Sequence, residues 1–401
     1  MTETTGMFAD LKVIDAASFL AGPCAATILS DYGADVIKIE PLSGDRHRSI
    51  AAGHPSEFSW QLTDRNRRGL ALDIADPRGH AVLMQMIKSV DVFLVNFSAG
   101  QLKKHNLEWQ TLRQINPRLI FAQISAYGLQ GADRDRRAFD LTGWFARTGI
   151  LDMMRDKDVP PTVPAGGVGD HATAMTLFAG IMMALYKRDR SGAGSMVSTS
   201  LVATGAWANG LNLQAVMAGI DGVARRDIEG WSNPIQNVYT TSDDRHVLIA
   251  VQNIKRDWPR LVEVLEQPHW LDDEKLKPVK ALFRNRFYAR RQIGDAIGKI
   301  HSELLSQRLD ASGIVYSLIA KNSEVIDDEQ LIANGVIVAS ESGVPGVERT
   351  FATPIKLSSE GQRTPQRAPD LGEHTKEILQ EFGLQDAEIS QLQAAGVIKI
   401  N

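Results

Sequence analysis

Leu11-Lys12-Val13-Ile14-Asp15, then Gly22-Pro23 with Ala25, Ala26, Ile28 and Leu29, then Ala34-Asp35-Val36-Ile37-Lys38-Ile39 decide the fold. The outer two runs are short and apolar, of strand length. The middle one reads as a helix opened by a proline, whose missing N–H costs nothing in a first turn. Gly33 sits where a left-handed helix stop is wanted. Two strands joined through a helix lie parallel, with a right-handed crossover. The alternation continues. Residues 69–74 are strand-like, Asp76-Pro77 reads as an N-cap and first turn, and Val82, Leu83, Met86 and Ile87 recur at the helical spacing. Residues 91–95 and 119–124 are further strands. Apolar strands alternating with helices predict a doubly wound α/β sheet.

Beyond it the pattern loosens. Asp133-Arg134-Asp135-Arg136-Arg137 and Pro160-Pro161-Thr162-Val163-Pro164 mark loops, and helical patterns rich in Ala, Gly and Met follow over 171–188 and 200–217. After Gly222 comes a strand at 247–251, with charged helices carrying Leu261, Val262 and Leu265, then Ile293, Ile297 and Ile300. The chain thus reads as a large Rossmann-like domain, 1–225 and 335–401, with a smaller α/β domain, 226–334, inserted in it. A helix from Glu373 through Leu379 returns the tail to the large domain.

Composition narrows the function classes. The 401 residues are 43% hydrophobic and 23% charged, enough for two or three units of roughly 100–200 residues each. A net charge of −4 leaves no basic surplus for nucleic acid, although a local basic pocket can still hold a small polyanion. Cys24, the single cysteine, makes neither an internal disulfide nor a thiolate metal cage, and favours a reducing compartment. Met1-Thr2-Glu3-Thr4-Thr5-Gly6 has no signal-peptide character, and the apolar run 174–186 is shorter than the ~20 residues of a membrane span. The expectation is a cytoplasmic enzyme with no metal, nucleic-acid or membrane partner.

Gly-x-Ser-x-Gly, His-Glu-x-x-His, Cys-x-x-Cys and Walker patterns are missing, which removes the common serine hydrolases, zincins and P-loop enzymes. Gly167-Val168-Gly169-Asp170-His171-Ala172 formally fits a dinucleotide turn. That turn must follow a strand, whereas a proline-rich loop precedes this one, and Asp189 beyond it stands between Arg188 and Arg190. An NAD(P)-dependent oxidoreductase thus lacks its structural context. The same stretch sets side-chain-poor backbone beside Asp170, ahead of an apolar helix. Two readings stand: Asp170 is the N-cap, or it is a reactive carboxylate with the N–H groups of Gly167 and Gly169 stabilising an oxyanion. His171 receives no role, and Cys24 reads as a small buried core residue. Arg65-Asn66-Arg67-Arg68, Lys103-Lys104 and Arg136-Arg137 are solvated charge or, at strand carboxyl ends, the binders of a phosphorylated cofactor, a crevice that Asn96-Phe97 also fits.

The ordered set Val13-Ile14-Asp15, Ala21-Gly22-Pro23, residues 33–41, Gly44-Asp45, Leu72-Asp73, Asp91-Val92, Asn96-Phe97, residues 116–120, 166–170 and 368–375 resembles class III CoA-transferases. These are the formyl-CoA transferase, carnitine-CoA transferase and bile-acid-inducible (CaiB/BaiF) group. The resemblance implies an interlocked homodimer of ring-shaped subunits, with CoA as a substrate and no tightly bound cofactor. It makes Asp170 the nucleophile that attacks an acyl-CoA thioester and hands CoA to a free carboxylic acid. It carries CoA contacts to Leu72, Asp73, Ile74, Asn96, Phe97, Ser98, Lys104 (for an arginine), Arg137 (for a lysine), Ala138 and Phe139. Leu20 stands where formyl-CoA transferase has glutamine, Pro41 where it has arginine, and no glycine run occupies 228–236, all of which argue against oxalate or formate. Acyl-CoA racemases of the same fold need a histidine where Phe139 stands, and a phenyl ring shuttles no proton. Residues 139–147 and Gly169-Asp170-His171 look most like the phenyllactate and 2-hydroxyisocaproate CoA-transferase branch.

Overall fold

The computed structural model describes residues 6–50, 54, 56–220, 233–277 and 279–401. The expected domain boundary at 225/226, and residues 228–232 of the stretch without a glycine run, lie outside them. The strands are β1 (Lys12–Asp15), β2 (Asp35–Glu40), β3 (Arg68–Leu72), β4 (Val92–Val95), β5 (Ile120–Ser125), β6 (Ser195–Ser200), β7 (Gln236–Thr240), β8 (His246–Ala250), β9 (Tyr316–Leu318), β10 (Ile337–Ala339), β11 (Arg349–Phe351) and β12 (Ile398–Lys399). Seven of them form one sheet in the order β12-β3-β2-β1-β4-β5-β6, parallel except for β12. The order reverses between β1 and β4, so the crevice outside their carboxyl ends is the topological switch point where ligands bind.

Side chains alternate across these strands and both faces are covered. Ile14, Ile37, Leu70, Phe93 and Phe121 pack under Leu83 and Met86 of helix Pro77–Ile87 and Ile378 of helix Thr375–Glu381. Val13, Val36, Val92, Leu94 and Ile120 pack under Ile28 of helix Ala21–Asp31 and Leu177 and Ile181 of helix Val168–Ser191. Burial on both faces explains why the strands read as continuous apolar runs. Asp76 accepts the Arg78 N–H and Pro77 occupies the first turn, while Gly33 adopts φ 105° after the first helix.

Other elements differ from expectation. β6, Ser-Met-Val-Ser-Thr-Ser, carries no apolar run because it is a half-covered edge strand. The 200–217 pattern is two helices, Leu201–Ala208 and Gly210–Met217. They break at Asn209, whose side chain donates to the Thr148 carbonyl at 3.0 Å. Residues 141–146, between the two expected loops where the pattern loosens, form a π-helical turn.

Two compact units result: Met1–Ile150, Val163–Leu213 and Glu329–Asn401 make one, Leu151–Thr162 and Gln214–Asp328 the other. The second holds the antiparallel sheet β7-β8-β9 over a core that includes Trp258 stacked on Trp270 at 6.0 Å. Helix Val168–Ser191 is the one described helix long and apolar enough to cross a membrane by composition, and Ala174, Leu177 and Ile181 on it are buried in the first unit.

Candidate active site

The loop that leaves β1 is tied down residue by residue. Ala16 N–H donates to the Leu94 carbonyl and Ala17 N–H to Asp15 Oδ1. Asn96, just past β4, accepts the Ser18 N–H at 3.0 Å and donates to the Ser18 carbonyl at 2.8 Å. One side chain thus ties the loop after β1 to the end of β4. Behind it lies a buried ion cluster. Lys38 donates to the Ala17 carbonyl and pairs with Asp45 at 3.1 Å, and Arg67 bridges Asp15 and Asp64 at 2.7 and 2.8 Å.

Beside this loop begins helix Val168–Ser191. Gly167 is its N-cap at φ 97°, a conformation that glycine adopts without steric penalty. The cap acceptor comes from elsewhere: buried Asp140 takes the Gly167 N–H at 2.7 Å and the Gly169 N–H at 3.2 Å on Oδ2. A Cβ on Gly169 would lie 2.6 Å from Trp144 Cγ, so only glycine lets the helix meet the 141–146 turn. Asp170 is therefore not the N-cap. It is the third helical residue, half-buried, and its carboxylate has no hydrogen-bond or ion-pair partner among the described residues. Burial first, and then the Asp140 charge, push it up to about 7. The helix amino end acts in the opposite sense, favouring the anion.

The two N–H groups expected to face an oxyanion thus donate to Asp140. The neighbouring N–H groups of Val168 and Asp170 have no partner among the described residues. His171 Nδ1 pairs with the Gly167 carbonyl at 2.8 Å and stiffens the same turn. Leu20 Cδ1 lies 3.6 Å from where a Cβ on Gly167 would stand, and Phe139, 60% exposed, precedes Asp140. Cys24 is buried close enough for Asp170 to raise its thiol, which burial chiefly pushes up to about 12, and it stays protonated.

Of the expected CoA positions, residues 72–74 lie at the end of β3, residues 96–98 follow β4, Lys104 ends a helix and residues 137–139 lie in the loop before Asp140. Leu72 ends β3 and is buried, and Asp73 and Ile74 follow it half-buried. The Phe97 carbonyl accepts from Gln123, and Ser98 caps helix Ala99–Lys104 in a reciprocal capping box. Lys104 and Arg137 are exposed cations without an ion pair among the described residues, and Ala138 is half-buried. A cavity of about 330 Å³ opens beside Phe97 and Ser98, lined by Trp109, Phe121 and Gln123. The Arg65–Arg68 run is neither solvated nor free for phosphate: Arg65 pairs with Asp31, Arg67 with Asp15 and Asp64, and Arg68 with Asp35 and Glu381. No cluster of metal-ligating side chains occurs among the described residues. Sequence reading gave Asp140 no role, since its partners lie 27 and 29 residues further on, across a loop without periodicity.

The chain matches the model of CoA-transferase family III over residues 8–375. It is 28% identical to the (R)-2-hydroxy-4-methylpentanoate CoA-transferase of Clostridioides difficile, over 97% of this chain and 98% of that one. Identity is also 28% with the cinnamoyl-CoA:phenyllactate CoA-transferase of Clostridium sporogenes, over 98% and 97%. The crystal structure of a CAIB/BAIF family protein from Brucella suis superposes with a TM-score of 0.82 at 26% identity, covering 93% of this chain and 98% of the other. With a largely parallel α/β sheet and a family match over nearly the whole chain, this protein belongs to CoA-transferase family III and is an enzyme of that class.

Proposed function

We propose that the enzyme moves CoA from an acyl-CoA donor to a free carboxylic acid through covalent intermediates on Asp170. A carboxylate oxygen of Asp170 attacks the thioester carbonyl, the C–S bond breaks, and CoA thiolate leaves an acyl-aspartyl anhydride. The thiolate attacks the aspartyl carbonyl, releasing the donor acid and forming an aspartyl-CoA thioester. The acceptor carboxylate displaces CoA from aspartate, and the thiolate finally takes the acceptor acyl group and regenerates Asp170. Successive acyl exchanges keep the thioester's energy without ATP. One observation carries this reading: Asp170 is a desolvated, unpartnered carboxylate at a helix start where Asp140 has taken the capping role. The unpaired N–H groups of Val168 and Asp170 are the donors best disposed to a developing oxyanion.

Leu72, Asp73, Ile74, Asn96, Phe97, Ser98, Lys104, Arg137, Ala138 and Phe139 serve in this reading as the CoA-binding rim, with Lys104 and Arg137 meeting phosphate. The relatives named for 2-hydroxy-4-methylpentanoate and phenyllactate point to 2-hydroxy acids with branched or aryl side chains as substrates. Racemisation has no support, because Phe139 offers no proton. The working unit in this reading is an interlocked homodimer in the cytoplasm.

Incubation of an acyl-CoA with an isotopically labelled free acid tests the reaction. A labelled thioester and a hydroxylamine-trappable acyl group on Asp170 are expected. Asp170→Ala abolishes both while CoA affinity stays within about twofold. Full turnover by that variant rules out the mechanism. Lys104→Ala and Arg137→Ala each weaken CoA binding with little effect on the free acid, and unchanged CoA affinity removes them from the rim.

A further inference from the structure

Phe19 stands in the left-handed region at φ 66°. The other described non-glycine residues there are Asn, Asp and Glu, and for a bulky aromatic this conformation is a true outlier. Such strain persists only where the surroundings over-determine it, and here they do. The Phe19 N–H donates to Asp45 Oδ1 at 3.4 Å. Asp45 Oδ1 also takes the His47 N–H, and Asp45 Oδ2 pairs with buried Lys38. Lys38 holds the Ala17 carbonyl, and Asn96 holds both polar groups of Ser18.

This restraint aims the ring rather than burying it. The Phe19 ring meets Phe139 edge-to-face, centroids 5.4 Å apart, and His47 at 6.4 Å. Phe139 leads into Asp140, the cap of the helix that carries Asp170, and Leu20, the next residue after Phe19, faces the side of Gly167 where a Cβ would stand. Phe19 is half-buried and Phe139 mostly exposed, so two aromatic faces stay uncovered by core packing beside the helix start that carries Asp170, and Leu20, which packs partly against the core, adjoins them.

We propose that Phe19 is a specificity-determining residue, forming with Leu20 and Phe139 the apolar wall on which the acyl chain lies as its thioester carbonyl meets Asp170. This rests on the CoA-transfer reading above. Such a wall favours branched aliphatic and aryl acyl groups over acetyl, and disfavours a second carboxylate, which would lose its water against phenyl rings.

Transfer from 4-methylpentanoyl-, cinnamoyl-, acetyl- and succinyl-CoA to one common labelled acid tests this in the full-length enzyme. The wild type is expected to favour the first two by at least 10-fold in kcat/KM. Phe19→Ala should remove most of that preference by raising KM for the bulky donors, with acetyl-CoA turnover within about threefold of wild type. Phe19→Gly, which adopts a left-handed φ freely, should lose the same preference with an unchanged or higher melting temperature. A wild type without preference, or a folded Phe19→Gly variant that keeps it within twofold, overturns the proposal while leaving CoA transfer intact. A wild type that transfers none of the four thioesters overturns the CoA-transfer reading, and this inference with it.

Discussion

Asp140 accepts two backbone N–H groups and Asp170 accepts none, so one helix start holds two carboxylates with separate tasks. The burial and Asp140 charge that raise Asp170 to about 7 also set its pH behaviour. In the proposed role of nucleophile it must be ionised, so kcat/KM should rise with pH through the region near 7. In Asp140→Asn the repulsion is gone while one acceptor oxygen still faces Gly167. The acid limb should then move to lower pH, and a pH–rate profile in which it stays put or climbs contradicts the assignment. Stability runs the other way. A carboxyl raised above its unfolded value of 3.8 contributes fully below that pH, and the contribution is lost as pH rises through about 7. Asp170→Asn should accordingly melt higher than wild type at pH 8 and alike at pH 4; equal shifts at both pH values would show that ionisation is not the cause. Of this pair the sequence singled out only Asp170, flanked by Gly166, Gly167 and Gly169, and left it between an N-cap, which the structure gives to Gly167, and a reactive carboxylate. Asp140 sits where no periodicity announces a partner.

At the scale of elements, legibility followed burial. β1 to β5 are covered on both faces and announce themselves as apolar runs, whereas β6 is a polar edge and β12 two residues long. Lys38 shows the limit of such reading, because it stands inside an apolar strand yet is fully buried among Asp15, Asp45 and Asp64. Lys38→Met leaves Asp15 and Asp64 with Arg67, leaves Asp45 without a cation and frees the Ala17 carbonyl. Breaking a buried pair of this kind costs ~3–5 kcal/mol, read as a lower midpoint in urea unfolding. An unchanged midpoint would mean that the cluster is not needed to hold the loop after β1. Gly169→Ala tests the helix start itself. Its Cβ would stand 2.6 Å from Trp144 Cγ, so the helix must shift from the 141–146 turn. Overpacking of this sort costs about 1–3 kcal/mol, and turnover should fall more than CoA affinity, because Asp170 moves with the turn while Lys104 and Arg137 do not. Equal losses in both would point to general unfolding instead.

At the scale of the molecule, core packing leaves large side chains over. Trp207 is 88% exposed, Leu211 86%, Met183 74% and Tyr186 60%, on the helices that follow the active-site turn. Helix Val168–Ser191 is apolar nearly all round, yet only the face bearing Ala174, Leu177, Phe178 and Ile181 packs into its own subunit. A helix apolar on more sides than the fold covers needs a further neighbour, and large apolar side chains left this exposed on neighbouring helices are candidates for an interaction site. In the proposed homodimer a second copy of the same surface would supply that neighbour, as two-fold pairing requires. Sequence patterning exposed the excess of apolar residues but not which of them the subunit itself covers, since that depends on how the helices lie on the sheet. Light scattering of the wild type should therefore give about twice the 44.0 kDa chain mass. Trp207→Glu with Leu211→Glu, both at positions exposed in the single chain, should halve it without altering the far-ultraviolet circular dichroism. A wild type at the mass of one chain, or a double variant still at twice that mass, would mean that these side chains face something other than their own copy.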